Sequence, residues 1–167
     1  NEFCRLGLID SVNTRMYVTQ GAGSSPIITA YEAGTTHIRP VRPNTIAKSL
    51  AIGNPADGYY ALKTIKESRG GGAASSDQEI ADAMVLLAQT EGVFAETAGG
   101  VVIAGLKRLA AAGAIKKDDV TVAYITGCGL KTLEAVAHVV HPMNIKPNLK
   151  SFEAALAERQ ASTGEKS

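Results

Sequence analysis

The stretch Val120-Thr-Val-Ala-Tyr-Ile-Thr-Gly-Cys-Gly-Leu-Lys-Thr132 sets the strictest terms on how this chain can fold. Five of the six residues from Val120 to Ile125 are apolar or aromatic, and Thr121 is β-branched. A run of that composition suits a strand covered on both faces, as in a parallel sheet. It stops at Thr126, and Gly127 and Gly129 then carry the backbone round a tight corner. In open α/β sheets, ligands bind at the carboxyl ends of the strands. A hydroxyl followed by glycines at such an end is therefore a candidate for chemistry. Spacing alone fits an ordinary strand-to-loop exit equally well.

The rest of the chain alternates helices with short strands. Glu2–Ile9 reads as a helix end, and Asp10–Asn13 as a turn. Arg15–Gln20 is a short strand. Ser24 or Ser25 can cap a helix that has Pro26 in its first turn and stops at Gly34. His37–Pro43 holds two prolines, which bars it from the middle of a sheet. A helix is predicted from about Ala56 to Ser68, with Asp57 as its cap. Gly70, Gly71 and Gly72 then read as its C-cap and a linker, because they do not lie between a strand and a helix as a phosphate loop would. Gly72–Ser76 can form a short edge strand.

Ser76-Asp-Gln-Glu79 has the capping-box pattern and opens a helix carrying Ile80, Ala83, Met84, Leu87 and Ala88 at helical spacing. A further helix spans about Ala98 to Ala112, and its small residues allow close approach to a sheet. After Thr132, a short helix over Leu133–Val139 carries Leu133, Val136 and Val140, and a terminal helix over Phe152–Gln160 precedes a polar tail. Helices in alternation with strands make this an α/β chain with a mainly parallel sheet flanked by helices. The expected division is 1–144 for the main domain and 145–167 for the terminal helix and tail.

At 167 residues and 45% hydrophobic content the chain can bury one sizeable core. A net charge of +1 argues against nucleic acid or an acidic membrane as the main partner. No apolar run approaches the roughly 20 residues of a membrane span, and the polar start carries no secretory signal. Cys4 and Cys128 fit neither a disulfide framework nor a zinc spacing, which points to a reduced, cytoplasmic setting. The first residue is not Met, so the chain reads as a piece of something longer.

Beyond Thr126, four other groups invite a chemical role. Glu96 precedes a helix that begins with small residues, where it can cap the helix or face a site. Lys48 lacks the neighbours that would make it a Schiff-base lysine and reads as a surface lysine. His37, His138 and His141 have no ligand-like partners at suitable spacing, so no metal site is expected. Cys128 has no base near it in sequence. The residues themselves point to a small-molecule or cofactor surface around Thr126 and name no reaction.

Several stretches together carry a resemblance. Phe3-Cys-Arg-Leu-Gly-Leu-Ile-Asp10, Thr45-Ile-Ala-Lys-Ser-Leu-Ala-Ile-Gly-Asn-Pro-Ala-Asp57, Ser76-Asp-Gln-Glu-Ile80, Glu91-Gly-Val-Phe-Ala-Glu-Thr-Ala-Gly-Gly100 and Ile125-Thr-Gly-Cys-Gly-Leu-Lys-Thr132 resemble, in matching order, the carboxyl-terminal half of the threonine synthase family. The resemblance implies an incomplete fold-type II pyridoxal 5′-phosphate enzyme, of the tryptophan synthase β type. It implies that Thr126 contacts the cofactor's pyridine nitrogen and that Gly127 and Gly129 shape the corner beside it. Ala51 and Ile52 are implied to lie near cofactor and substrate, and Glu96 to line the far side of the site. Cys128 stands where the family usually has asparagine.

The family's Schiff-base lysine and phosphate-binding glycine loop belong to the preceding half and have no match here, so no catalytic lysine is assigned. The intact enzyme would be a lyase of threonine biosynthesis, converting O-phospho-L-homoserine and water to L-threonine and phosphate. The partners implied are that amino-acid phosphate and the missing amino-terminal half or another copy, in a homo-oligomer. Two other readings stay open: a fold-type II threonine or serine dehydratase, and a stand-alone, non-catalytic module that binds a ligand or subunit.

Overall fold

A computed structural model of the chain describes residues 2–139 and 141–164. The chain divides into two units, Asn1–Val136 and Ala137–Ser167. The first is built on two parallel strands, β1 (Tyr17–Gly21) and β2 (Gly71–Ser75), with Tyr17 opposite Gly71 and Gly21 opposite Ser75. A short helix, α1 (Glu2–Arg5), precedes them, and α2 (Pro26–Glu32) and α3 (Gly58–Glu67) form the crossover between them. After β2 come α4 (Asp77–Glu91) and α5 (Thr97–Ala111).

Successive residues of a strand point to opposite faces, and β1 shows what each face packs against. Val18 joins the buried cluster of Ile27, Ala30, Leu62 and Ile65, which belongs to α2 and α3. Thr19 lies directly on Gly105 of α5, where any Cβ would collide with it. Helices therefore cover both faces of the parallel pair. On the α5 side, Gly100 lets α5 close on α4, since a Cβ there would lie 2.7 Å from the Ile80 carbonyl oxygen and 2.8 Å from Met84 Cγ. Ile80, Met84 and Val101 are fully buried in consequence.

Local signals explain the ends of these helices. The capping box at Ser76 is made: Glu79 N–H donates to Ser76 Oγ at 3.3 Å, and Ser76 N–H donates to Glu79 Oε2 at 2.8 Å. α4 ends on Gly92, which takes a left-handed φ of 68°. α3 differs from expectation at both ends. Asp57 makes no side-chain cap, and the left-handed residue after the helix is Arg69, with φ 56°.

The glycine triplet is not a linker, because Gly71 and Gly72 begin β2. They are needed for close approach: a Cβ on Gly72 would lie 2.8 Å from Val18 Cγ1, and one on Gly70 would strike the Met16 carbonyl.

The largest departure is Val120–Ile125, predicted to be a buried strand. The segment is extended in outline but pairs with no strand, and Val120 to Thr126 make no backbone hydrogen bond among the described residues. Val120, Val122 and Tyr124 are 98%, 74% and 75% exposed. The composition is that of a sandwiched strand, but a strand is buried only when neighbours pair with its edges and helices lie on its faces. Only Ala123 and Ile125 are half-covered, and a Cβ on Gly99 of α5 would lie 3.3 Å from Ile125 Cγ2.

The helix expected over Leu133–Val139 is instead a 3-10 segment, Gly129–Val136, broken at Thr132 (φ −135°, ψ 41°). Val136 is fully buried, whereas Val140 lies outside the described residues. In the second unit, α6 (Leu149–Gly164) is longer than Phe152–Gln160, because Asn148 caps its start: Ser151 N–H donates to Asn148 Oδ1 at 2.9 Å. The last three residues of the expected tail lie outside the described residues.

Candidate functional site

The carboxyl end of Val120–Ile125 meets the amino terminus of α5 at a tight corner. Gly127 turns the chain with φ 74°, a conformation that costs a residue with a side chain. Its carbonyl accepts from Glu96 N–H at 3.2 Å, and Gly129 N–H donates to the Phe94 carbonyl at 2.9 Å. These two bonds frame an antiparallel bridge between Ala95 and Cys128. Gly129 does a different job from Gly127: it is buried, and a Cβ there would lie 2.6 Å from the Phe94 ring.

Glu96 occupies the N-cap position of α5 but makes no capping bond with its side chain. The reason lies across the corner, where Thr97 N–H donates to Thr132 Oγ1 at 3.1 Å. A hydroxyl from a distant segment thus satisfies one orphan amide of the helix start. The same bond accounts for the non-helical Thr132. The Glu96 carboxyl lies instead where a Cβ on Gly127 would be. It has no hydrogen-bond or ion-pair partner among the described residues, and it faces the positive end of the α5 dipole.

Thr126 is exposed, and its Oγ1 makes no hydrogen bond among the described residues. It is a free donor and acceptor on the rim of this corner. The structure therefore brings Thr126, Gly127, Gly129 and Glu96 together. Cys128 is exposed within the corner as a free thiol.

Ala51 and Ile52 follow a 3-10 turn, Lys48–Leu50, and no hydrogen bond joins them to the corner. Their loop is nevertheless anchored in the same unit. Thr45 Oγ1 donates to Asp77 Oδ1 at 2.7 Å, and Ile46 N–H donates to the same oxygen at 3.1 Å. Ala47 is fully buried with Ile80 and Val101. Gly53 runs against the Val41 carbonyl, and its own carbonyl accepts from Val41 N–H at 3.0 Å. The Thr45–Asp77 clasp and the Thr132 cap were not foreseen. Each joins residues more than 30 positions apart, and no local pattern marks such a pair.

Lys48 is exposed, as are His37, His138 and His141. Among the described residues, no group of three or more His, Cys, Asp or Glu side chains is placed to hold a metal ion. No described helix is long and apolar enough to cross a membrane.

Three buried hydroxyls, Ser24 Oγ, Ser75 Oγ and Thr97 Oγ1, have no hydrogen-bond partner among the described residues. Ser75 closes β2, and Thr97 opens α5. A groove of about 810 Å3 lies along β1, α5 and Val120–Tyr124, and its lining stops two residues short of Thr126.

Residues 5–127 match the family model described as pyridoxal-phosphate dependent enzyme. The chain is 37% identical over 159 residues to the threonine synthase of Methanocaldococcus jannaschii, covering 94% of this chain and 39% of that protein. It is 49% identical over 89 residues to the threonine synthase of Halalkalibacterium halodurans, covering 53% of this chain and 25% of that one. Among solved structures, maize serine racemase is similar over 60% of this chain and 30% of its own, with 20% identity and a TM-score of 0.46. The chain thus spans about two fifths of the length of the first of these relatives.

Proposed function

The chain belongs to the pyridoxal-phosphate dependent enzymes, and from that premise we propose that it is the carboxyl-terminal portion of a threonine synthase. The intact protein would convert O-phospho-L-homoserine and water to L-threonine and phosphate. Relatives matched over nearly the whole of this chain support the assignment. The observation that carries it is the unpaired Thr126 hydroxyl, presented beside a glycine corner at the amino end of a helix. On this reading, residues 1–144 belong to the cofactor-binding domain, and 145–167 are a terminal helix and tail.

The corner fits one side of the cofactor. Pyridoxal phosphate, when bound, supplies an electron-withdrawing ring that stabilises negative charge developing on the substrate's carbon atoms. Thr126 would meet the ring nitrogen. A neutral hydroxyl can donate to that nitrogen without forcing a proton onto it, whereas a carboxylate would hold it protonated. Gly127 gives the corner beside it a left-handed turn under the Glu96 carboxyl, and Gly129 lets the backbone lie against the Phe94 ring. Glu96 would face the site because Thr132 relieves it of capping. Ala51 and Ile52 would lie toward the substrate, on a loop that the Asp77 clasp holds in place.

Two measurements test this. In the full-length protein, Thr126→Asp should shift the absorbance of the bound cofactor and lower turnover of O-phospho-L-homoserine by at least about tenfold, roughly 1.4 kcal/mol in the barrier. Unchanged spectra and rates would remove Thr126 from the site. Ammonia release from threonine or serine, without phosphate release from O-phospho-L-homoserine, would make the protein a dehydratase instead. In this chain alone, borohydride treatment with pyridoxal phosphate should fix no stoichiometric adduct on any single lysine, Lys48 included.

A further inference from the structure

We infer that the loop over residues 33–56 is an electropositive rim beside the Thr126 corner, whose Arg39, Arg42 and Lys48 draw in a doubly negative phosphate monoester, a role that rests on the function proposed above. Between Glu32 and Asp57 the chain has no Asp or Glu, and it carries these three cations. All three are exposed, and none makes a side-chain hydrogen bond or an ion pair among the described residues. Asp57, at the end of the loop, and Glu96, in the corner, make no ion pair there either. The three cations outnumber them.

The loop lies at the end of the sheet where ligands of open α/β folds bind. Asn44 N–H donates to the carbonyl of Gly23, two residues past β1, at 2.9 Å. Thr45 Oγ1 sits 2.8 Å from where a Cβ on Gly21, the last residue of β1, would be. The same hydroxyl donates to Asp77, the first residue of α4, just past β2. Ala47 then packs with Val101, in the amino-terminal half of α5. The loop therefore crosses the carboxyl ends of both strands and reaches the end of α5 that carries the corner.

Its arginines are held in place by their neighbours. Arg39 and Arg42 each precede a proline, which keeps both in extended backbone. Ile38 and Val41, also three apart, are both held against residues 53–58. A Cβ on Gly58 would lie 2.6 Å from Ile38 Cδ1, and Val41 N–H donates to the Gly53 carbonyl at 3.0 Å. In an extended chain with three residues per turn, the arginines that follow them share a face of their own. Two guanidiniums fixed on one face suit the spread charge of a phosphate. Lys48 follows on the 3-10 turn that leads to Ala51 and Ile52. Three cations on one loop, in a chain of net charge +1, suit a small anion better than a long polyanion. O-phospho-L-homoserine is doubly negative near neutral pH, whereas L-threonine is neutral overall. The rim would thus favour entry of the substrate over rebinding of the amino-acid product.

The test is steady-state turnover of O-phospho-L-homoserine by the full-length protein between about 10 and 150 mM salt, where the screening length falls from about 30 to about 8 Å. R39Q/R42Q/K48Q should raise KM by at least about threefold at low salt, leave kcat unchanged and flatten the rise of KM with salt. R39E/R42E should reverse the sign, so that added salt lowers KM. K107Q/K116Q/K117Q removes the same charge around the carboxyl end of α5 and should keep the parent's salt profile. Turnover with the same KM and salt profile in the rim variants would overturn the rim while leaving the proposed function standing. An equal effect from the variant at the far end of α5 would do the same, by assigning the attraction to net charge. Absence of any turnover in the parent protein would remove the proposed function, and the rim's role with it.

Discussion

At the scale of single residues, the site turns on a division of labour around α5. The helix start needs an acceptor for its first amides, and Glu96 stands where that acceptor is usually found. Thr132 takes the task from across the corner, and the Glu96 carboxyl packs over Gly127 instead. Gly127 is thus fixed twice, by its φ of 74° and by the side chain above it. The two constraints can be separated. Gly127→Ala should destabilise the protein by about 2–4 kcal/mol, combining a left-handed penalty of roughly 1–2 kcal/mol with overpacking of similar size. In a Glu96→Ala background the overpacking is relieved, and the same substitution should cost only the left-handed part. Urea unfolding of the four proteins checks this, and equal costs in both backgrounds would show that Glu96 does not press on Gly127. The glycine and the threonine before it were legible in the sequence, since a strand-like run ending in Thr-Gly-x-Gly is a local pattern. The freeing of Glu96 was not, because it depends on a hydroxyl 35 positions away.

At the scale of elements, α4 and α5 pack closely on each other through Gly100. Their periodicities were readable because apolar residues repeat at helical spacing, and because the capping box at Ser76 is a local signature. Sequence did not show that Glu79 has a second duty. Arg108 of α5 donates to Glu79 Oε1 through Nε at 2.8 Å and to Oε2 through Nη2 at 3.0 Å. That fork from Arg108, followed by the Ser76 amide and hydroxyl, holds the Glu79 carboxyl down at about 2, from an ordinary value of 4.5. A carboxylate with a lowered folded-state pKa contributes stability that is complete above its unfolded value. The contribution drains away as pH falls toward the folded value. Stability should therefore decline from about pH 4.5 toward pH 2. Both side chains are well exposed, so salt should weaken the effect. Glu79→Gln keeps a side chain able to cap the helix but carries no charge, and Arg108→Ala removes the fork. Each variant should flatten this part of the pH profile in denaturant unfolding. A slope unchanged in both would assign the acid sensitivity to other carboxylates.

At the scale of the whole molecule, the informative failure is Val120–Ile125. Its composition announced a strand with protein on both sides, and the described residues neither pair with it nor bury it. Burial, however, belongs to the neighbours as much as to the strand, and the described residues supply α5 on one side alone. The glycine triplet misled in the complementary way. Three glycines after a helix look like a linker, yet Gly71 and Gly72 are strand residues that allow β2 to lie close to Val18. What was legible was the alternation of elements and their order, which local pattern determines. What was not legible was which edges and faces are shared, because that depends on pairs far apart or outside the chain. An uncovered row of Val120, Val122 and Tyr124 beside an unpaired backbone should also govern how this chain behaves by itself. It should bind a hydrophobic dye and associate as its concentration rises. Val122→Lys places a charge in the middle of the row, where it removes no described contact of the folded unit. It should lower both dye binding and association several-fold while leaving the far-ultraviolet circular dichroism unchanged. In the longer polypeptide the same lysine would be forced under cover, with destabilisation of several kcal/mol as the expected result. A lysine tolerated equally in both settings would mean that this row remains open to water in the complete protein. The apolar character of Val120–Ile125 would then need a different explanation.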